Sequence, residues 1–198
     1  MSKWKRTGIV RSTEFQTREA DGKRYIDGYF ALFNSEYRFS PFAFETIDPG
    51  AFDLNRDSDV RALTNHDTTL VLGRTTAGTL QLQVDERGLW GSVLINENDQ
   101  DAVNAYERVR RGDVNQCSFG FNVLKDAVER RDDGQTVWHL EEVELFEVSV
   151  CTFPAYPETS IDARAADLDA MKQRDREIWR AEALARVRGE TPEEEKTC

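Results

Sequence analysis

The run Thr79-Leu80-Gln81-Leu82-Gln83-Val84 alternates between apolar and polar residues. The turn-forming residues Asp85-Glu86-Arg87-Gly88 separate it from a second run rich in strand formers, Leu89-Trp90-Gly91-Ser92-Val93-Leu94-Ile95. Successive side chains of a strand point to opposite faces, so the alternation puts Leu80, Leu82 and Val84 on one face. Residues 79–95 therefore predict a β-hairpin with one buried face.

Strand-like runs occupy much of the chain on either side of this hairpin. They cover residues 8–10, 24–33 and 60–63 before it and residues 114–123 and 137–152 after it, with the charged turn 129–134 between the last two. The final run is longer than an ordinary strand, which predicts a bend or a bulge. One helix is expected at residues 102–110, because Asn98-Asp99-Gln100-Asp101 supplies capping side chains and Gly112 follows the basic last turn. The pattern is typical of a mostly β protein with flanking helices, in the α+β class.

The composition changes after residue 157. Ala, Arg, Asp and Glu dominate from there and apolar residues are sparse, so we expect a helix over residues 160–188 and an acidic tail over residues 189–198. The chain is therefore predicted to hold one domain at residues 1–160 and a charged helical segment with its tail at residues 161–198. A solvated helix is the simplest interpretation of that segment.

Net charge and cysteine count argue against several classes of function. The chain has 198 residues, 37 acidic and 26 basic, with a net charge of -11. Duplex nucleic acid is disfavoured as a partner, because its binding depends on Lys and Arg neutralising phosphates. Cys117, Cys151 and Cys198 lack CxxC spacing, which favours a reducing cytosolic compartment over a disulfide framework or a zinc site. No run of about 18 apolar residues occurs, so neither a signal peptide nor a membrane span is expected.

Acyl transfer requires a base, and the chain has two histidines, His66 and His139. His66 lies in the polar turn Thr64-Asn65-His66-Asp67 after an apolar strand, from which an imidazole can project into a cleft. A surface or capping histidine is the alternative, and for this turn alone it is the more common outcome.

The candidate nucleophile is Ser118 in Cys117-Ser118-Phe119-Gly120-Phe121. Strand alternation places Ser118 and Gly120 on one face, where the glycine leaves room beside the hydroxyl for the backbone of a bound substrate strand. A strand serine with a packing glycine is the alternative. Cys117 is a rival nucleophile, but it shares its face with Phe119 and Phe121, which indicates an inert core cysteine.

The candidate acid is Glu147, which interrupts the apolar run Leu145-Phe146-Glu147-Val148-Ser149-Val150. A carboxylate buried there needs a hydrogen-bonding partner. An imidazole N–H and an arginine, such as Arg74 or Arg110, are equally compatible with the pattern. Glu142 and Glu144 lie in a more polar stretch that favours solvation.

Seven segments follow one another along the chain: Gly28-Tyr29-Phe30-Ala31-Leu32-Phe33-Asn34-Ser35, Ile47-Asp48-Pro49-Gly50-Ala51-Phe52, Asn65-His66-Asp67, Leu72-Gly73-Arg74-Thr75, Ala77-Gly78-Thr79-Leu80, Cys117-Ser118-Phe119-Gly120-Phe121 and residues 145–157. In this order they resemble the tailed-phage prohead protease family, the capsid maturation serine proteases related in fold to herpesvirus assemblins. The resemblance covers about residues 8–160, and its specificity lies in the ordered combination.

This resemblance implies a closed, mostly antiparallel β-barrel flanked by helices. It makes His66 the base and Ser118 the nucleophile, and it places the third member of the triad at Glu147. His139 is the assemblin-like alternative for that third position, and Glu142 and Glu144 also remain open.

The resemblance further implies a serine endopeptidase that needs no metal or organic cofactor. Its substrates would be scaffolding protein, or the scaffolding segment of the major capsid protein, and the protease itself. It would act inside the immature shell in the host cytoplasm, with possible self-association and no membrane partner. Residues 161–198 could then be a removable segment. The alternatives are a catalytically silent capsid-assembly module and a hydrolase that uses Cys117.

Overall fold

The computed structural model describes residues 6–10, 15–40 and 42–153, together with five positions between residues 173 and 180. The chain divides into two compact units, Met1–Pro157 and Glu158–Cys198. In the second unit, the described positions have helical backbone and exposed side chains: Gln173, Arg174, Arg176, Glu177 and Arg180. The predicted helical segment and acidic tail otherwise lie outside the described residues.

Strands dominate the first unit. They are β1 (Arg6–Val10), β2 (Gln16–Ala20), β3 (Lys23–Leu32), β4 (Tyr37–Ser40), β5 (Ala43–Ile47), β6 (Arg61–Thr64), β7 (Asp67–Arg74), β8 (Leu80–Val84), β9 (Gly88–Leu94), β10 (Gln116–Arg130) and β11 (Thr136–Cys151). A 3-10 turn spans Thr75–Ala77 and helix α1 spans Gln100–Arg111. The mostly β class is therefore confirmed, and none of the helices in the described part of the chain is long and apolar enough to span a membrane.

These strands form two sheets. The seven-stranded sheet runs β1-β10-β11-β5-β4, with β6 paired to β11 and β7 paired to β6, and the four-stranded sheet runs β2-β3-β9-β8. Within the described ranges no strand pair joins the sheets, so the predicted closed barrel is not found. Alternating apolar residues require only that one strand face be buried. Packing one sheet on another satisfies that requirement as well as closing one sheet on itself.

Strand β11 organises the larger sheet. Its first part, Thr136 to Leu140, pairs in parallel with β5, and its last part, Glu147 to Val150, pairs in parallel with β6. Strand β10 runs antiparallel along the other edge, with register shifts that match the irregularity expected from the length of β11. Residues 147–150 consequently lie between β6 and β10.

One face of β10 packs into the hydrophobic core, as the alternation of residues 117–121 predicts. Cys117, Phe119 and Phe121 are fully buried, and the two rings stack with centroids 4.9 Å apart. Phe119 also meets Phe52 edge-on at 5.8 Å. The alternate residues of β10 therefore point to the opposite face of the sheet.

Helix α1 begins and ends at the capping residues that the sequence predicted. Asp99 caps it by accepting hydrogen bonds from the amides of Asp101 and Ala102, and Gly112 ends it in the left-handed region at φ 82°. One face of the helix packs into the core through residues at helical spacing: Ala102, Ala105, Tyr106 and Val109.

Candidate active site

His66 lies in a tight turn that joins β6 to β7. Thr64 pairs with Asp67 across the hairpin, and both intervening residues have positive φ, 52° at Asn65 and 59° at His66. Two-residue hairpin loops of this kind favour Asn followed by Gly. A histidine in the left-handed region costs about 1–3 kcal/mol, and such strain concentrates at functional sites.

The imidazole of His66 contacts the carboxylate of Glu147. His66 Nδ1 lies 2.5 Å from Glu147 Oε1, and the side chains are only 18% and 8% exposed. The second carboxylate oxygen, Oε2, accepts a hydrogen bond of 2.7 Å from the hydroxyl of Ser149. A carboxylate at Nδ1 keeps the proton on that nitrogen and leaves Nε2 as the acceptor.

The alternative partners of Glu147 are engaged elsewhere. Arg74 binds Asp59 with Nε 2.6 Å from Oδ1, and Arg110 binds Glu107 on its own helix at 2.6 Å. Of the two pairings that the sequence allows for Glu147, the structure therefore shows the one with an imidazole.

Ser118 stands on the same face of the sheet as Glu147. It lies directly opposite Ser149 in the β10–β11 ladder, and Gly120 lies opposite Glu147. Directly opposed residues of an antiparallel pair project to one side of the sheet. Ser118 is fully buried, and His66 Nε2 is buried without a hydrogen-bond partner among the described residues. The structure thus brings His66 and Glu147 into contact and puts Ser118 in the adjacent strand, without a hydrogen bond from Ser118 Oγ to Nε2.

Gly120 makes room for the acid. A Cβ atom added there would lie 2.5 Å from Glu147 Oε1 and 2.6 Å from Cε2 of Phe146. The sequence predicted that Gly120 leaves room for the backbone of a substrate, but in the structure Glu147 and Phe146 fill that space. The glycine is required for close approach, but the group that approaches belongs to the chain itself.

His139 occupies a separate ion-pair cluster. Its Nδ1 lies 3.0 Å from Asp48 Oδ1, and its Nε2 lies 3.1 Å from Glu129 Oε2. The hydrogen bond to Asp48 is the main reason why the pKa of His139 is raised, with a further contribution from Glu129. Both ring nitrogens are occupied by carboxylates other than Glu147.

The neighbouring acids of β11 also have other partners. Glu142 accepts a hydrogen bond of 2.5 Å from Nη1 of Arg56, and Glu144 accepts one of 2.8 Å from the amide of Asn122. Among the described residues, the ring of His66 hydrogen-bonds to Glu147 and to neither of these acids.

The two described cysteines do not offer an activated thiolate. Cys117 is fully buried in the core, and its Sγ lies 3.0 Å from the carbonyl oxygen of Tyr29. Burial raises the pKa of the Cys151 thiol to about 12. A nucleophilic cysteine needs the opposite shift.

A cleft of about 700 Å³ opens beside the His66–Glu147 pair. It is lined by charged, polar and apolar groups from several elements, among them Arg61, Leu63, Asn122, Glu144 and Phe146. On its charged side Arg61 and Arg74 both bind Asp59, and the bond from Arg74 holds the pKa of that carboxyl below its usual range. In the described ranges, no three His, Cys, Asp or Glu side chains are grouped to hold a metal ion.

Sequence reasoning did not identify Ser149. Its position two residues after Glu147 puts both side chains on one face of β11, and this spacing was the available signal. Its hydroxyl also accepts a hydrogen bond of 3.2 Å from the backbone amide of His66.

A carboxylate at Nδ1, a free Nε2 and a serine on the adjacent strand are the parts that serine acyl transfer requires. Comparisons with known proteins agree with that chemistry. The sequence profile of the family described as caudovirus prohead serine protease matches residues 11–174. The prohead protease of Enterobacteria phage HK97 is 30% identical over 180 residues, which cover 86% of this chain and 76% of that protein.

Among solved structures, the capsid assembly protease of bacteriophage T4 matches with a TM-score of 0.42 and 10% identity, covering 76% of this chain and 97% of that one. The family profile and the HK97 relative each span most of the chain, and each is described as a protease. This chain is therefore a serine peptidase and belongs to the caudovirus prohead serine protease family.

Proposed function

We propose that the chain is a serine endopeptidase of phage prohead maturation, with His66, Ser118 and Glu147 as its catalytic residues. The observation that carries the site assignment is the 2.5 Å contact between His66 Nδ1 and Glu147 Oε1, which joins a strained turn to the strand that pairs with the strand of Ser118.

In the acylation step, Ser118 Oγ attacks the scissile carbonyl carbon while His66 Nε2 takes the hydroxyl proton. The Glu147 carboxylate stabilises the imidazolium through Nδ1–H. His66 then gives the proton to the leaving amine, the C–N bond breaks, and an acyl-enzyme remains. Water attacks the acyl group with the same base, which frees Ser118 and the acid product.

The orphaned His66 Nε2 supports this mechanism. It is the one ring nitrogen not engaged by Glu147, and among the described residues it has no hydrogen-bond partner. The Ser118 hydroxyl is the partner that the mechanism supplies. Catalytic hydrogen bonds of this kind are often long or absent in a free enzyme and shorten when substrate binds.

The proposed substrates are scaffolding protein or the scaffolding segment of the major capsid protein, and the protease's own chain. Family membership supports this choice, and so does the name of the HK97 relative, a prohead protease. Cleavage would take place inside the immature shell in the host cytoplasm. The charged residues 161–198 would form a separate and removable segment outside the protease domain.

The nucleophile is tested by co-expressing the chain with the capsid and scaffolding proteins of its own genome and following cleavage by mass spectrometry. Wild type and Cys117→Ala should cut the scaffolding protein or the scaffolding segment of the capsid protein, and also the chain itself, and Ser118→Ala should cut none of these. Undiminished cleavage by Ser118→Ala would refute the serine assignment, and loss in Cys117→Ala alone would identify a thiol enzyme. No cleavage by folded wild type would favour a silent assembly module.

The acid is tested with matched substitutions along β11. Glu147→Gln keeps the shape of the side chain but no longer stabilises the imidazolium, so cleavage should slow by at least about 100-fold. Glu142→Gln and His139→Ala remove groups that do not contact His66 and should cleave normally. The opposite ranking would move the third role to Glu142 or His139.

A further inference from the structure

Ser149 connects the proposed acid to the backbone of the proposed base. Its hydroxyl donates to Glu147 Oε2 at 2.7 Å and accepts from the His66 amide at 3.2 Å. Ser149 is fully buried, so water does not replace either bond if the hydroxyl is removed.

The position of Ser149 in the sheet places that hydroxyl at the centre of the site. On one side Ser149 pairs with Ser118 of β10, and on the other it pairs with Leu63 of β6, three residues before His66. One side chain therefore touches the acid and the base and stands across the ladder from the nucleophile.

Both groups that Ser149 binds need to be held. Glu147 has a flexible side chain, and the bond to Oε2 leaves Oε1 directed at His66. His66 lies at φ 59°, a conformation that a histidine keeps only when its surroundings enforce it. The bond from its amide to Ser149 is one such restraint.

From these contacts we propose that Ser149 is a positioning residue, which fixes the Glu147 carboxylate and the His66 turn relative to each other for proton transfer at Ser118. The inference rests on the proposed triad, and Ser149 itself exchanges no proton with substrate.

The chain offers a matched control in its other sheet. Ser92 is a buried strand serine whose hydroxyl donates to a buried carboxylate, Asp27 Oδ1, at 2.6 Å. Ser92→Ala removes the same kind of bond as Ser149→Ala, but away from His66. Both variants should lose similar stability, and only Ser149→Ala should lose turnover.

Kinetics are measured with the full-length chain on the co-encoded capsid or scaffolding substrate. For Ser149→Ala we expect kcat to fall by about 10- to 100-fold, as for loss of one hydrogen bond to a charged group, with KM within about twofold. Ser149→Thr, which keeps the hydroxyl, should restore most of kcat. In a Glu147→Gln background Ser149→Ala should have a smaller further effect, because the carboxylate that Ser149 orients is already lost and only its bond to the His66 amide remains. If Ser149→Ala does not fold, Ser149→Cys, a weaker donor of similar size, takes its place.

A second readout needs no substrate. The chain has two histidines, so their ring N–H signals in NMR spectra can be assigned by substitution. The His66 Nδ1–H signal should broaden or vanish in Ser149→Ala, while the His139 signal stays and Ser92→Ala changes neither.

Wild-type kcat with an unchanged His66 signal in Ser149→Ala would overturn the inference. So would an equal loss of kcat in Ser92→Ala, or a full further loss in the Glu147→Gln background, because these indicate a general structural effect. If the proposed catalytic triad is wrong, a different result is expected, namely cleavage by Ser118→Ala. In that case the NMR comparison still decides whether Ser149 holds His66.

Discussion

Gly120→Ala tests whether the chain needs a glycine beside its proposed acid. The added Cβ atom would lie 2.5 Å from Glu147 Oε1 and 2.9 Å from Cγ of the same side chain. The backbone of Gly120 is paired with Glu147 in the ladder, so the added atom displaces the Glu147 carboxylate and the neighbouring Phe146 ring.

The size of the effect follows from these distances. Ordinary contact begins near 3.4 Å, so Oε1 has to withdraw by about 1 Å, which stretches its bond to His66 towards the limit of a hydrogen bond. Losing a charge-assisted bond of this type removes about 1.5–3 kcal/mol from the transition state, in which His66 is charged, and slows turnover by about 10- to 100-fold. The extra methyl also overpacks the site, at a stability cost of about 1–3 kcal/mol.

Gly91→Ala is the matched control. A Cβ atom there would lie 2.6 Å from Cε2 of Phe30 in the four-stranded sheet, which is similar to the crowding at Gly120. Urea unfolding should show comparable destabilisation of the two variants. Cleavage of the co-encoded capsid substrate, measured where both variants remain folded, should slow in Gly120→Ala and stay near wild type in Gly91→Ala.

Cleavage at the wild-type rate by folded Gly120→Ala would show that Glu147 does not need its observed position. Equal loss of turnover in the two variants would show that the loss follows from stability and not from displacement of the acid.

Three further outcomes are expected. His66→Gly should exceed His66→Ala in unfolding free energy by about 1 kcal/mol, because both variants lack the imidazole and only glycine occupies positive φ without strain. Equal midpoints in urea unfolding would mean that the turn is not strained. The raised pKa of His139 means that its stabilisation is complete below the unfolded-state value of about 6.5 and is lost as pH rises through the folded value. Wild type should therefore exceed His139→Gln in unfolding free energy near about pH 5.5 and lose this advantage by about pH 9, and a constant difference would contradict the ion-pair account. Cys151, with its pKa raised to about 12, should resist iodoacetamide at about pH 8 until denaturant is added, and modification of the native form, detected by mass spectrometry of the digested protein, would contradict this prediction.

Local signals in the sequence predicted those elements whose cause is local. Helix α1 was placed by its capping residues and the glycine after it, and the β8–β9 hairpin by strict alternation around a polar turn. The same alternation correctly assigned one face of β10 to the core. Each of these patterns depends on residues a few positions apart.

The elements that were missed depend on distant partners. β7 begins with three polar residues and is largely exposed, and it is a strand because β6 pairs with it. The second half of β10 is exposed and charged, and it continues as a strand only because β11 lies beside it. The closed barrel, carried over from the family resemblance, was wrong for the described residues, because strand alternation does not record which edges meet.

The candidate site also depends partly on local sequence and partly on contacts between distant segments. The sequence by itself determined the candidates: two histidines, a serine beside a glycine in an alternating strand, and an acid in an apolar run. Only the tertiary structure decided that Glu147 meets His66, because parallel pairing of β11 with β6 joins segments more than 80 residues apart. It also decided that Gly120 accommodates Glu147 and that Ser149 binds both partners. Side-chain chemistry can be read from the chain one residue at a time, whereas the register of distant strands follows from packing the whole domain.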